Sequence, residues 1–156
     1  MQQVKLSKVP TMQQELLLLA EAAESANGKI FIHGGGVDRH SVLADARPPL
    51  QLKEDIALGI LTDWHETNRT HVLVVTICTE DGKTVWKMEG QFEVGRPPGA
   101  KPGQQFRQLI AVKGPIPLPD RGAFKMVLEL DGKEQEPAFR FWVEDLAMTP
   151  AAARPE

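Results

Sequence analysis

The sequence predicts an all-β protein, a mostly antiparallel β-sandwich of about seven to nine strands with Greek-key or jelly-roll-like connections. Three observations lead there. Apolar residues recur with a period of two in several separate stretches, the mark of strands with one buried and one wet face. Two Asp-Gly pairs stand between such stretches, where hairpins close. Proline-rich loops divide the chain of 156 residues into short pieces, a length that suits one domain with one core.

Taken in order, residues 1–13 read as an N-terminal tail and residues 14–146 as the domain. Residues 14–26, QELLLLAEAAESA, are ambiguous on local signals. Leu, Glu and Ala favour helix, but the following Asn27-Gly28 serves a hairpin turn as well as a helix C-cap. Lys29 to His33 then reads as a strand, and Gly34-Gly35-Gly36 as a bulge or tight bend. Arg47-Pro48-Pro49 marks a loop, and strands are expected at 55–62, 70–79 and 104–113. Residues 96–103, RPPGAKPG, are a second loop, since proline lacks the donor a sheet interior needs. Residues 147–156 read as a C-terminal tail.

The hairpins give registers. A type I′ turn at Asp81-Gly82 sets Ile77 opposite Trp86, Val75 opposite Met88 and Leu73 opposite Gly90, so the apolar faces coincide. It also sets Cys78 opposite Val85. Asp131-Gly132 likewise pairs Leu128 with Gln135 and Phe124 with Phe139.

Several stretches together resemble a bacterial family of small β-sandwich proteins of unknown function. They are LLLLAEAAESANGKIFIHGGGVDR, IALGI, WHETNRTH, TEDG, GQFEVGRPPG and DRGAFKMVLELDG, in that order over residues 15–144. The resemblance implies a strand entering a hairpin for residues 15–24. It implies an aromatic after the glycine run, where this chain has Val37. It carries over no functional residue.

Composition excludes some partners. With 18 Lys+Arg against 21 Asp+Glu the net charge is −3, whereas nucleic-acid backbones and anionic membranes call for a basic surface. The densest apolar stretch, Leu16 to Ala23, is too short to span a bilayer, and the N-terminus does not read as a secretory signal. Cys78 is the single cysteine, so no intrachain disulfide forms, which fits a cytoplasmic setting.

No catalytic motif is readable, and no cofactor is expected. Gly34-Gly35-Gly36 lacks the surroundings of a phosphate loop. His65 and His71 are six apart, not the four a zinc-protease helix needs. An alternative is a metal-dependent enzyme that gathers His33, His65 and His71 at one end of the sandwich, with His40 a further imidazole within its reach. Asp63, Glu66, Glu80 and Asp81 read as solvated or turn-capping acids, and Cys78 as a sheltered structural thiol. Trp86 reads as core, and Trp64 ends a strand.

Trp142 is the informative residue. Alternation puts it on the face opposite Phe139, Phe141 and Val143, beside Arg140 and Glu144. An outward Trp next to Arg is typical of interface anchors. The expected function is therefore a non-catalytic interaction module binding a protein partner or a second copy of itself. A carbohydrate-binding sandwich is a further alternative, but three Trp, six Phe and no Tyr make a thin stacking platform.

Overall fold

The computed structural model describes residues 11–147. Eight strands of seven or more residues carry the fold: β1 (Met12–Ala26), β2 (Lys29–Gly35), β5 (Asp55–Asp63), β6 (Thr70–Thr79), β7 (Thr84–Glu93), β8 (Gln105–Val112), β10 (Gly122–Leu130) and β12 (Phe139–Asp145). Four short ones complete it: β3 (Arg39–Val42), β4 (Leu50–Leu52), β9 (Ile116–Leu118) and β11 (Lys133–Glu134). The strands order as β2-β1-β5-β8 in one sheet and β3-β12-β10-β6-β7 in the other, with β11 on β10 and a separate β4–β9 ladder. All pairs are antiparallel except β12 with β3. The only helix among the described residues is a single 3-10 turn, Trp64–Glu66, and no helix there is long and apolar enough to cross a membrane.

The two sheets pack face to face. Leu19, Ile56, Leu58 and Ile60 of one meet Val75, Ile77, Met126, Leu128 and Phe141 of the other in one buried cluster. Within it Phe124 and Phe141 stack with centroids 5.4 Å apart. Trp86 packs against its border, as expected.

Residues 14–26 form a strand, and it starts at Met12, inside the stretch read as a tail. The remaining tail residues, 1–10 and 148–156, lie outside the described ones. A bulge between Gln14 and Leu16 shifts the pairing with β5, so Met12 before it and Leu17 and Leu19 after it all join the main core. That parity change masks the period of two in this stretch. The opposite face is also apolar. Leu16, Leu18 and Ala20 gather with Ala57 and Ala111 in a second cluster, joined by Ala23, Ile30 and Ile32 of the β1–β2 hairpin. Ala20 and Ala23 have opposite parity, and both are buried there. Asp55 holds the Ala23 end of the strand. Beyond the last β1–β5 pair, Ala20 with Asp55, the buried Asp55 carboxylate replaces the missing strand: it accepts Ala23 N–H at 2.9 Å, Gly114 N–H at 2.9 Å and Lys113 Nζ at 3.2 Å. Lys113 Nζ also donates to Ala23 O. A Cβ on Gly114 would lie 2.4 Å from Glu54 O, so only glycine fits there.

The turns confirm most registers and correct three details. Asn27 and Gly28 (φ 52° and 72°) and Asp131 and Gly132 (φ 50° and 81°) both adopt the left-handed pair that a type I′ turn requires. At Asp81-Gly82 only Gly82 has positive φ. The loop there is Glu80–Gly82, closed by Thr79 N–H to Lys83 O at 2.9 Å. A bulge at Val85 restores the expected pairs from Ile77–Trp86 onward, and Cys78 therefore faces Thr84, not Val85. Gln135 N–H bonds Leu128 O as expected, but between Gln135 and Phe139 the register slips by two, so Phe124 pairs with Phe141 rather than Phe139. An even slip keeps every side chain on its face. Of the glycine run, Gly34 and Gly35 end β2 and Gly36 turns away from it; Gly34 takes φ 59°, and a Cβ there would lie 2.7 Å from the Glu21 side chain.

Asp55 gives the fold a measurable signature. Burial alone would raise its pKa; the bonds from Ala23, Gly114 and Lys113 outweigh that and hold it below the ordinary 3.8. A lowered carboxyl contributes stability that is present above the unfolded pKa and lost as pH falls through the folded one. Asp55→Ala should cost about 2–4 kcal/mol near neutral pH, because two buried N–H groups lose their acceptor. In urea melts the gap to wild type should close in strong acid; a gap that persists unchanged there would contradict this role.

Candidate functional site

The four histidines are dispersed. His33 lies exposed on β2 opposite Ala22, and His65 lies exposed in the 3-10 turn. His40 on β3 is buried, with Nδ1 3.0 Å from Glu54 Oε1. His71 on β6 is 1% exposed. Among the described residues one group of potential metal ligands converges, and it contains His71 without His33 or His65: ligand atoms of Glu66, His71 and Asp131 lie within 4.8 Å of one another.

The bonding of that group decides its chemistry. His71 Nδ1 is 2.6 Å from Asp131 Oδ2, and Nε2 is 2.6 Å from the Glu66 carbonyl oxygen. Both partners are acceptors, so the geometry favours a ring that donates from both nitrogens, the protonated form. Such a ring has no lone pair for a metal or for a proton-accepting role. Burial alone would lower the His71 pKa; the Glu66 carbonyl and the Asp131 and Glu66 carboxylates raise it above 6.5. Asp131 is held below 3.8 despite its desolvation, by Val72 N–H and then by His71 and Arg69. Glu66 accepts from Thr11 Oγ1 at 3.0 Å and pairs with Arg69 at 2.8 Å. The cluster therefore ties the β5–β6 connection, β6 and the β10–β11 turn to residue 11 before β1. Sequence reading singled out His71 and Glu66 but missed Asp131, sixty residues away and assigned to a turn.

The other candidates lie apart from this cluster, and Trp64 opens the 3-10 turn after β5 rather than ending the strand. Cys78 is half-buried, its Sγ 3.6 Å from Lys125 O. Asp63 accepts from Gln105 Nε2 at 3.1 Å. Trp64 is covered by the Arg96 guanidinium 3.5 Å from its ring centre, which Thr67 and the Trp64 carbonyl hold in place. With Trp86 against the core, Trp142 is the one exposed indole of the three.

Trp142 is 38% exposed on the outer face of β12, between Ala123 of β10 and Arg39 of β3. Arg39 lies 5.6 Å from its ring centre and 4.0 Å from Glu144. Arg140, two residues before Trp142 and on the same face, pairs with Lys125 of β10. The exposed large apolar residues among those described are Phe31, Leu43, Trp142 and Leu146. Three of the four lie on the β3–β12 edge: Leu43 follows β3, and Leu146 extends β12 by donating to Val42 O at 2.7 Å. By alternation Trp142, Glu144 and Leu146 form one row, with Arg39, Ser41 and Leu43 beside it. A hollow of about 120 Å³ opens next to Trp142, under the β6–β7 turn.

The model of a family described as "Family of unknown function (DUF6941)" matches residues 15–139. No curated protein matches the chain.

The His71 cluster predicts how stability follows pH. A raised histidine pKa contributes stability that is complete below the unfolded pKa of about 6.5 and lost as pH rises through the folded value; Asp131 contributes above about 3.8 and loses its share as pH falls. The pair should act at full strength between these limits. In His71→Gln the decline on the alkaline side should vanish from urea melts. An unaltered pH profile would show that the ring is neutral in the folded state.

Proposed function

The chain belongs to this family of unknown function, and from that premise we propose that it is a non-catalytic protein-binding module whose contact surface is the outer face of the β3–β12 edge. The observation that carries the reading is the gathering of Trp142, Leu43 and Leu146 on that edge, where they account for three of the four exposed large apolar residues described. Scattered apolar residues are ordinary on a protein surface; a group around an exposed Trp is the usual anchor of an interface.

The flanking charges support it. Arg39, Arg140 and Glu144 surround the indole, the arrangement of a polar rim around an apolar centre. The edge itself adds to it: β3 has a partner on one side only, and its other side offers free backbone groups to an incoming chain. The non-catalytic half of the reading draws on His71, whose ring nitrogens are both occupied by acceptors. The setting we infer is a bacterial cytoplasm. The single Cys78 fits a reducing compartment, and the resemblance in residues 15–144 points to bacteria.

The reading is tested by size in native extract. Wild-type chain should run in a species larger than one chain, and Trp142→Ala should run at the mass of one. Loss of a central interface Trp should cost about 2 kcal/mol or more of association. Folding stability should change by less than about 1 kcal/mol, as for other exposed positions. A wild-type chain already at the mass of one chain, or a variant that stays with wild type, would sink the reading.

A further inference from the structure

We infer that the hollow beside Trp142 receives a carboxylate of an acidic polypeptide segment, seated between Lys125 and Arg140. The inference rests on the reading of the β3–β12 face as a protein-binding surface and names the chemistry of the partner.

Lys125 and Arg140 are direct cross-strand partners on the outer face of β10 and β12. Opposed residues of neighbouring strands hold their Cβ atoms about 4.5–5.5 Å apart, and like charges in that position are unfavourable. A sheet face normally relieves such a pair with an acid nearby. Here neither cation has a carboxylate within 4.0 Å among the described residues. Glu144 is turned to Arg39. Glu80, on the opposite rim of the hollow, makes no ion pair with either. Two uncompensated cations therefore line a hollow of about 120 Å³ whose wall is the Trp142 indole.

That volume suits one carboxylate and its short stem. The carboxylate would accept charge-assisted hydrogen bonds from both cations, while the indole covers the apolar part of the segment. A charged lipid surface or a nucleic-acid backbone fits less well. Lipid headgroups and nucleic-acid backbones need a broad basic surface, and this chain carries a net charge of −3, with Lys125 and Arg140 the only cations lining the hollow among the described residues. A protein segment with one or two acids at the right position meets both limits.

The test uses the full chain and a fluorescein-labelled octaglutamate peptide, read by anisotropy at low ionic strength. Wild type should bind, and added salt should weaken binding. Lys125→Glu and Arg140→Glu should each raise Kd by about tenfold or more. Glu80→Gln should lower Kd, because it removes the one acid on the rim. Arg140 is exposed, so its variant decides the matter if Lys125→Glu does not fold. Equal binding by wild type and Arg140→Glu overturns the inference. So does capture of wild type by phosphatidylserine vesicles while octaglutamate stays free, since the occupant would then be a lipid surface. If octaglutamate fails to bind but Trp142→Ala still dissolves the native assembly, the binding module stands and only its acidic partner is refuted. If both fail, both readings fall.

Discussion

The fold depends on one long strand serving two apolar clusters. β1 lies between β2 and β5, so its backbone is committed on both sides. Its side chains are committed on both faces too: Leu17 and Leu19 to the main core, Leu16, Leu18 and Ala20 to the outer cluster. An outer face buried by a hairpin needs small neighbours, and Ala57, Gly59 and Ala111 supply them. A Cβ at Gly59 would already press on Leu16 and Leu109 at 3.2 Å. The arrangement also needs a way to finish β1 after β5 has ended. Asp55 provides it by bonding Ala23 in place of a strand. A charge here is a better substitute than a neutral side chain, since it accepts from two N–H groups and one ammonium at once.

At the other end of β1 the two sheets are joined by polar groups. Gln135 Oε1 accepts Gln14 N–H at 2.9 Å, and Pro137 O accepts from Gln14 Nε2 at 2.8 Å. Next to them His71 holds the Glu66 carbonyl and the Asp131 carboxylate together. A neutral imidazole has one donor and one acceptor, and would leave one of these two oxygens facing a lone pair. The protonated ring satisfies both. The same fact removes His71 from base or ligand chemistry, because both ring N–H groups are already used in joining loops. A cluster of His, Asp and Glu thus looks like a reactive centre by composition and is a fastener by bonding.

Much of this was legible in the residues. Alternation located β6, β7, β10 and β12, and parity put Trp142 outside and Phe141 inside. The Asp-Gly pairs fixed which faces meet. What the residues hid were departures from the period of two. The bulge at Glu15 shifts the parity of β1, and burial of both its faces makes Leu16 to Ala20 apolar on successive residues, so helix and strand signals balance there. The bulge at Val85 leaves the distant register intact while moving Cys78 opposite Thr84. The short strands β3, β4, β9 and β11 have too few residues to show a period, and the parallel β3–β12 pair joins segments a hundred residues apart. The His71–Asp131 bond was hidden for a related reason: Asp131 was fully explained as a turn residue, and turn chemistry says nothing about where the carboxylate points.

The two-residue slip after Gln135 matters most for function. Without it Arg140 would oppose Ala123 and Trp142 would oppose Arg121, and the two cations would stand apart. With it Lys125 and Arg140 face each other and Trp142 lies over Ala123, whose small side chain leaves room for the hollow. The slip is even, so the facing of the core residues is unchanged: Phe139, Phe141 and Val143 would face inward in either register. Arg121, released from Trp142, instead binds Asp145 and the carbonyls of Leu43 and Ala46, which fixes the loop carrying Leu43 beside β12. One offset that keeps every side chain on its face thus brings together both features that distinguish this face from an ordinary solvated sheet: an exposed Trp and a pair of cations directly opposite each other.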